Sequence, residues 1–110
     1  MPIYVLDEMT VPPGRLREVR SLLGERYRRG AEARGLHLER ICMTPPVELD
    51  DEPTTLLLWW TLADIPAFWA MKRSSVGDPG VAAFWREVDD LVVSRSRRFA
   101  APLDEPDGRN

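Results

Sequence analysis

The sequence predicts an α+β domain in which four β-strands and two helical regions follow one another in the order βαββαβ. Three observations predict it. The segments Ile3–Val11 and Thr54–Leu62 are apolar or alternate at the two-residue spacing of β-strands. Residues 15–34 repeat apolar side chains at steps of three and four, as an amphipathic helix does. Asp64 and Asp78 stand where capping residues precede a helix, each with a proline close behind.

The first strand, Ile3–Val11, is expected to present two different faces. An acidic residue interrupts each of its two stripes, which are Ile3, Val5, Asp7, Met9 and Val11 on one side and Tyr4, Leu6, Glu8 and Thr10 on the other. A Pro-Pro-Gly sequence at residues 12–14 ends the strand. The helix over residues 15–34 follows. Two internal glycines weaken its middle, and Gly35 is well placed to end it in a left-handed conformation.

The rest of the chain supplies three strands, an acidic loop and a helix in two pieces. In chain order these are a strand at 36–44, a loop at 45–53, a strand at Thr54–Leu62, a helix capped by Asp64 that breaks at 74–77 and restarts at Asp78, and a strand at 92–99. The acids of the loop repel one another, which predicts a solvated hairpin tip, and they lack the ligand spacing of a calcium loop. Residues 1–103 are therefore predicted to form one domain, and residues 104–110 a disordered tail.

Two adjacent tryptophans, Trp59 and Trp60, lie on the third strand. Because neighbouring residues on a strand point to opposite faces, one indole enters each side of the sheet. In a split βαβ, ferredoxin-like fold the helices cover one face of a four-stranded antiparallel sheet, and 110 residues hold too little helix to cover both faces. The second face is therefore predicted to be covered by another copy of the chain, which makes the protein a homodimer.

Composition argues against several classes of function. A net charge of −3 and a pI near 5.2 argue against nucleic-acid binding. Acidic residues interrupt the arginines of residues 15–34, which favours a solvated helix face over a phosphate-binding surface. His37, as the sole histidine, argues against a zinc site, and no other metal or cofactor is predicted. Cys42, the sole cysteine, forms no intrachain disulfide and is expected to be buried.

The sequence also argues against a membrane protein. No signal-peptide pattern precedes the first strand, and no apolar run approaches the roughly 18 residues of a spanning helix. A cytoplasmic location is predicted.

Several short motifs, spread over nearly the whole chain, resemble one family. They are Ile3-Tyr4-Val5-Leu6 with Pro13-Gly14, then Leu58-Trp59-Trp60, then Asp78-Pro79 with Ala83-Phe84, and Leu91-Val92-Val93-Ser94 leading through Arg98-Phe99 to Pro102-Leu103. This set resembles the NIPSNAP-like branch of the dimeric α/β-barrel superfamily. The resemblance implies a dimer whose two sheets pack face to face into a barrel. It also implies a cleft between the sheet and the helices of each subunit.

The chain departs from that family at three polar positions. Val5, Asp7 and Leu62 stand where the family usually has a glutamate, an arginine and a tyrosine, so no activity is carried over from those residues. The superfamily includes cofactor-free antibiotic-biosynthesis monooxygenases, polyketide cyclases, haem-degrading enzymes and proteins of no known activity. The fold does not choose among them.

Four side chains are candidates for acid/base catalysis. His37 and Glu39 share a face of the second strand and can act as base and orienter, or they are an exposed pair on an edge strand. Asp7 interrupts an apolar face, where burial would raise its pKa and let it exchange a proton with a substrate. The alternative for Asp7 is a buried salt bridge to an arginine of the last strand, Arg95 or Arg97. Glu8, on the opposite face, is a weaker candidate of the same kind.

The aromatic side chains predict a pocket for a flat, hydrophobic molecule. The residues expected to line it are Tyr4, Tyr27, Met43, Trp59, Trp60, Trp69 and Phe84. Ordinary core packing is the alternative for each of them.

The leading functional hypothesis is a cofactor-independent, homodimeric enzyme. It would act by proton transfer (cyclisation, dehydration or isomerisation) on a hydrophobic ring-containing metabolite, for example in natural-product biosynthesis. A cofactor-free monooxygenase of an aromatic substrate and a non-catalytic small-molecule-binding or dimerisation module are the alternatives. A cleft of at least a few hundred Å³ favours an enzyme. A cleft filled by Trp60, Trp69 and Phe84 favours the module.

Overall fold

A computed structural model describes residues 1–103, and the predicted βαββαβ order is confirmed. The elements are β1 (Ile3–Val11), α1 (Leu16–Leu22), a π-helical segment (Leu23–Tyr27), α2 (Arg28–Ala33), β2 (His37–Thr44), β3 (Thr54–Leu62), α3 (Ile65–Val76), α4 (Pro79–Leu91) and β4 (Ser94–Ala100). The tail predicted at residues 104–110 lies outside the described residues. Within residues 1–103, no helix is both long and apolar enough to span a bilayer.

The four strands form one antiparallel sheet in the order β2-β3-β1-β4. β1 lies in the centre, where Ile3 pairs with Leu62 of β3 and Tyr4 pairs with Ala100 of β4. The helices pack on one face of this sheet, so the predicted ferredoxin-like α+β fold is confirmed.

The core lies between the helices and the sheet. It is built from alternate residues of β1 and β3 and from one stripe of each helical region, and its largest fully buried side chain is Trp60, which is 1% exposed. The neighbouring Trp59 points to the other side of the sheet and is 41% exposed in a single chain. The two indoles therefore lie on opposite faces, as predicted from the alternation of strand side chains.

The side of the sheet away from the helices is here called the open face. It includes Tyr4, Leu6, Glu8 and Thr10 of β1, Thr55, Leu57, Trp59 and Thr61 of β3, His37, Arg40 and Cys42 of β2, and Arg98 of β4. Cys42 is exposed there, opposite Leu57, so the expectation of a buried thiol is wrong. Its neighbours along the chain are apolar, but it lies on the side that the helices do not cover.

An irregularity in β2 changes which residues share a face. The register with β3 shifts between Leu38 and Arg40, so Glu39 is an extra residue without a partner of its own. A bulge of this kind reverses the alternation on one side of it. His37 consequently lies opposite Thr61 on the open face, whereas Ile41 lies opposite Leu58 on the helix side. The face that His37 occupies therefore does not continue regularly along β2, since Ile41 and Met43 lie on the helix side.

The helix ends follow their predicted signals. The Asp64 carboxylate accepts a hydrogen bond from the Ala67 amide at 2.8 Å, and the Asp78 carboxylate accepts one from the Gly80 amide at 2.8 Å. Gly35, with φ of 96°, ends the first helical region in the left-handed conformation that favours glycine.

Candidate functional site

A buried ion pair lies at the centre of the sheet, on its helix side. Asp7 is 2% exposed, and the antiparallel register of β1 and β4 places Arg97 directly beside it. Arg97 Nε donates to Asp7 Oδ1 at 2.7 Å and Arg97 Nη2 donates to Oδ2 at 2.8 Å. The indole Nε1 of Trp60 donates to the same Oδ2 at 2.9 Å. Of the two sequence alternatives for Asp7, the geometry shows the salt bridge, and Arg97 is its partner.

Arg97 extends this network into the helical layer. Its Nη2 also donates to the hydroxyl oxygen of Tyr27 at 3.1 Å. Burial alone would lower the pKa of the Arg97 guanidinium, but hydrogen bonding and charge attraction from Asp7, with a further contribution from Tyr27, raise that pKa above its ordinary value. The guanidinium is therefore charged throughout the pH range in which proteins are folded.

Aromatic rings fill the space around Tyr27. Its ring stacks on Phe84, with centroids 4.7 Å apart, and meets the edges of Trp60 at 5.8 Å and Trp85 at 5.0 Å. Phe84 and Tyr27 are 3% and 4% exposed. This half of the space beneath the helices is therefore solid core, so Tyr27 and Phe84 pack as core residues, the alternative that the sequence left open.

A cleft of about 150 Å³ remains beneath the other half of the helical layer. It is here called the helix cleft, and its lining residues are Arg20, Leu23, Gly24, Arg28, Leu38, Ile41, Leu56, Leu58 and Trp60. It lies between the π-helical segment and the strands β2 and β3. Trp60 both lines this cleft and donates to Asp7, so one side chain joins the cleft to the buried ion pair.

The π-helical segment explains part of this geometry. It widens the helix over Leu23–Tyr27, and such segments recur at functional sites. Leu23 at its start and Gly24 after it line the cleft, whereas Tyr27 at its end joins the Arg97 network. A Cβ added at Gly24 would meet nothing within 4 Å. The backbone at Gly24 therefore leaves space at the mouth of the cleft.

The other acid/base candidates lie on the open face, away from Asp7. Glu8 accepts a hydrogen bond from Arg98 Nη2 at 3.3 Å. Glu39 accepts one from the Thr61 hydroxyl at 3.1 Å, and His37 pairs with Thr61 across the strands. His37 and Glu39 thus lie at one corner of the sheet, both exposed, and the structure does not bring them together with Asp7.

The remaining substrate-binding candidates are also dispersed. Tyr4 and Trp59 lie 6.1 Å apart on the open face. Met43 lies opposite Leu56 on the helix side of β2 and is half-buried. Trp69 projects from α3 and is 54% exposed, with Phe68 as its aromatic neighbour at 4.9 Å. Of the seven predicted lining residues, only Trp60 lines the helix cleft.

Sequence reasoning missed most of the cleft because its lining is ordinary in residue type. Arg20 and Arg28 belong to the arginines of residues 15–34, whose pattern favours a solvated helix face, and Leu38 and Ile41 are ordinary apolar residues of the strand predicted at 36–44. No single side chain marks a cleft formed by a π-helical segment and a strand bulge. Within residues 1–103, no group of three or more His, Cys, Asp or Glu side chains is arranged to hold a metal ion.

Comparison of sequences finds no matching family model and no matching curated protein. Comparison of structures finds many matches. A NIPSNAP family protein from Agrobacterium tumefaciens superposes with a TM-score of 0.70 at 19% identity, covering 94% of this chain and 95% of that chain. An uncharacterized NIPSNAP domain protein from Burkholderia xenovorans superposes with a TM-score of 0.68 at 15% identity, covering 92% and 94%. The chain has the NIPSNAP fold.

The structure also superposes, at a lower TM-score, on a protein of stated activity. SnoaB from Streptomyces nogalater, a cofactor-independent oxygenase, superposes with a TM-score of 0.57 at 15% identity, covering 96% of both chains. The resemblance drawn from the sequence is therefore confirmed for the NIPSNAP-like, ferredoxin-like fold. At these identities the likeness concerns the fold alone, and no residue role or activity transfers with it.

Proposed function

We propose that this chain is a homodimeric small-molecule-binding protein that holds one hydrophobic molecule per subunit in the helix cleft. The observation that carries the proposal is the cleft itself. Trp60, Leu56 and Leu58 of β3 line its inner side, and Leu23, Leu38 and Ile41 complete its apolar lining. A concave, mostly apolar lining with a few polar groups at its edge is typical of ligand sites.

The size of the cleft limits its occupant. At about 150 Å³ it is below the roughly 300–1,000 Å³ of pockets for drug-sized molecules. It therefore suits one or two fused rings or a short alkyl chain. Ile41, on the edge strand β2, is 43% exposed, so the cleft opens at that edge of the sheet and a longer ligand can extend past it.

Filling the cleft tests the binding proposal. Gly24→Leu adds a side chain where nothing lies within 4 Å, at the mouth of the cleft. We expect it to abolish the binding of one- and two-ring aromatic probes such as 2-naphthalenemethanol, measured by NMR titration. Gly77→Leu is the matched control, because Gly77 lies at the end of α3, away from the cleft. A probe that binds both variants equally would show that the cleft is not the site.

The open face supports the dimer. The helices leave this side of the sheet uncovered, and the exposed Trp59 indole stands on it beside the half-buried Tyr4, Leu6 and Leu57. Depressions of about 270 and 460 Å³ flank the indole, and side chains of a second copy would fill them. An uncovered sheet face with an exposed indole and a surrounding apolar patch is typical of an interface on a small domain.

A charge on the open face tests the dimer. Trp59→Glu places a carboxylate at the centre of the proposed interface and is expected to give monomers in sedimentation velocity, with native circular dichroism. Trp69→Glu is a matched control, since Trp69 is even more exposed, at 54%, but lies on α3. It should sediment as the wild type does. A wild-type protein that is monomeric at micromolar concentration would contradict the proposal.

Catalysis in the same cleft is the second candidate function. Proton transfer such as cyclisation, dehydration or isomerisation would use the buried Asp7 carboxylate, which Trp60 joins to the cleft, although the bidentate contact with Arg97 disfavours that use. Cofactor-free oxygenation of an aromatic substrate is the other catalytic alternative, and SnoaB, which shares the fold, is a cofactor-independent oxygenase. Oxygen consumption without added flavin or metal would distinguish oxygenation from proton transfer. A protein that binds the probe and turns over no ring-containing substrate would be the non-catalytic module.

A further inference from the structure

We propose that the molecule held in the helix cleft is an amphipathic carboxylate. Its apolar part lies against Trp60, and its carboxylate is bound at the mouth of the cleft by Arg20 and Arg28. This inference rests on the proposed binding function and adds the chemical class of the ligand.

The charges on the first helical region are divided between its two sides. Among residues 1–103, the charged residues that line the helix cleft are Arg20 and Arg28, and no acidic side chain of this range lines it. The groove on the opposite side of the helix, between α1 and α4, is lined by four acids, Glu18, Glu25, Glu87 and Asp90, and by one arginine, Arg26, which pairs with Glu87. The two arginines place positive charge at the mouth of the helix cleft, where it attracts anions. Glu32, which contacts Arg28, and Glu48, which lines a neighbouring depression with Arg20, offset part of that charge.

The two arginines frame the π-helical segment. Arg20 lies in α1 and Arg28 begins α2, so one stands on each side of Leu23 and Gly24. Arg20 forms no salt bridge with a carboxylate of residues 1–103. Arg28 Nε donates to a Glu32 carboxylate oxygen at 3.1 Å. The two terminal nitrogens of Arg28 have no hydrogen-bond partner among residues 1–103. Both guanidinium groups can therefore donate to a ligand.

The shape of the cleft separates the apolar and anionic parts of the ligand. Trp60, Leu56 and Leu58 come from β3 and form the inner wall, and they are 1–2% exposed. Arg20 and Arg28 are exposed at the outer edge. A buried charge without a partner is costly, but a carboxylate at this outer edge stays partly hydrated. Its contact with an arginine is also stronger than a hydrogen bond between neutral groups. A hydrophobic acid matches this arrangement better than a neutral hydrocarbon.

Two probes of the same shape test the inference, 2-naphthoate and 2-naphthalenemethanol. We expect wild-type protein to bind the carboxylate about tenfold more tightly than the alcohol at low ionic strength, by calorimetric titration. Added salt should reduce that ratio, because exposed charges are screened. The double variant Arg20→Gln/Arg28→Gln should bind both probes with the affinity of the alcohol. Arg29→Gln, an exposed arginine of α2 that does not line the cleft, should behave as the wild type.

The outcomes separate the inference from the proposed function. If the alcohol binds, is blocked by Gly24→Leu, and matches the carboxylate in affinity, the anionic ligand is contradicted and the binding function stands. If the double variant keeps the preference for the carboxylate, the two arginines are not its partners and the inference is overturned. If neither probe binds the wild type, the binding function fails and the inference fails with it.

Discussion

The Asp7 carboxylate lies on a central strand, almost completely buried, and its two oxygens accept three hydrogen bonds. A buried charge without partners would cost several kcal/mol of folding free energy, so the stability of this region depends on Arg97 and Trp60 being in place. The same contacts hold the Trp60 indole against the helix cleft. Asp7 therefore positions a wall of the candidate site, whether or not it exchanges protons with a ligand.

Removing the charge of Asp7 should destabilise the protein. Asp7→Asn leaves the Arg97 guanidinium buried without its counter-ion, and we expect the free energy of unfolding to fall by about 3 kcal/mol, measured by urea denaturation. Glu18→Gln is the control, because Glu18 pairs with Arg15 in an exposed contact on the first helix, away from the open face. It should change stability by less than about 1 kcal/mol. Equal effects of the two variants would contradict the role given to the buried pair.

The exposed ion pair of Asp89 and Arg95 predicts how stability changes at acidic pH. A hydrogen bond from Arg95 lowers the pKa of Asp89 below its ordinary value. Burial opposes this shift, and the positive charge of Arg95 adds to it. A group whose pKa is lower in the folded state stabilises that state at neutral pH. This stabilisation is complete above about pH 3.9, the pKa of an aspartate in the unfolded chain. It is lost as the pH falls from there through the lower pKa of the folded state. NMR titration should show Arg95→Gln returning the Asp89 pKa toward its ordinary range. An Asp89 pKa that Arg95→Gln leaves unchanged would contradict the pairing.

At the scale of elements, the sequence predicts the regular parts of the fold and misses the irregular ones. Strand Thr54–Leu62 and the caps at Asp64 and Asp78 were predictable, because apolar spacing and capping chemistry are local. The bulge at Glu39 and the π-helical segment at Leu23–Tyr27 depend on how the helix and the edge strand pack together. Since these two irregularities form the helix cleft, the candidate site was less predictable than the fold around it.

The two glycines of the first helical region should respond to alanine in opposite ways. Gly24 has space for a Cβ and no left-handed backbone, so Gly24→Ala should raise the free energy of unfolding by about 0.5–1 kcal/mol. Gly35 has φ of 96°, which an alanine adopts only with strain, so Gly35→Ala should lower stability by about 1 kcal/mol. Thermal unfolding of both variants measures the difference. A loss of stability in Gly24→Ala would mean that the π-helical segment needs glycine.

At the scale of the whole molecule, one sheet separates two different environments. Its helix side holds the core, the buried ion pair and the helix cleft, whereas its open face holds the exposed Trp59 indole and paired charges such as Glu8 and Arg98. A domain of about 100 residues has a modest core, so covering a whole sheet face would add substantially to its stability. In this view dimerisation and folding are coupled.

The proposed dimer predicts that the melting temperature depends on protein concentration. If the native state is a dimer and unfolding separates the chains, mass action raises the melting temperature by about 3–5 °C for each tenfold increase in concentration. Trp59→Glu should melt lower and independently of concentration, because its native state is already a monomer. Trp69→Glu should keep the wild-type dependence. Differential scanning fluorimetry over roughly a hundredfold range of concentration measures all three. A wild-type melting temperature that stays constant over that range would show that the open face does not hold two chains together.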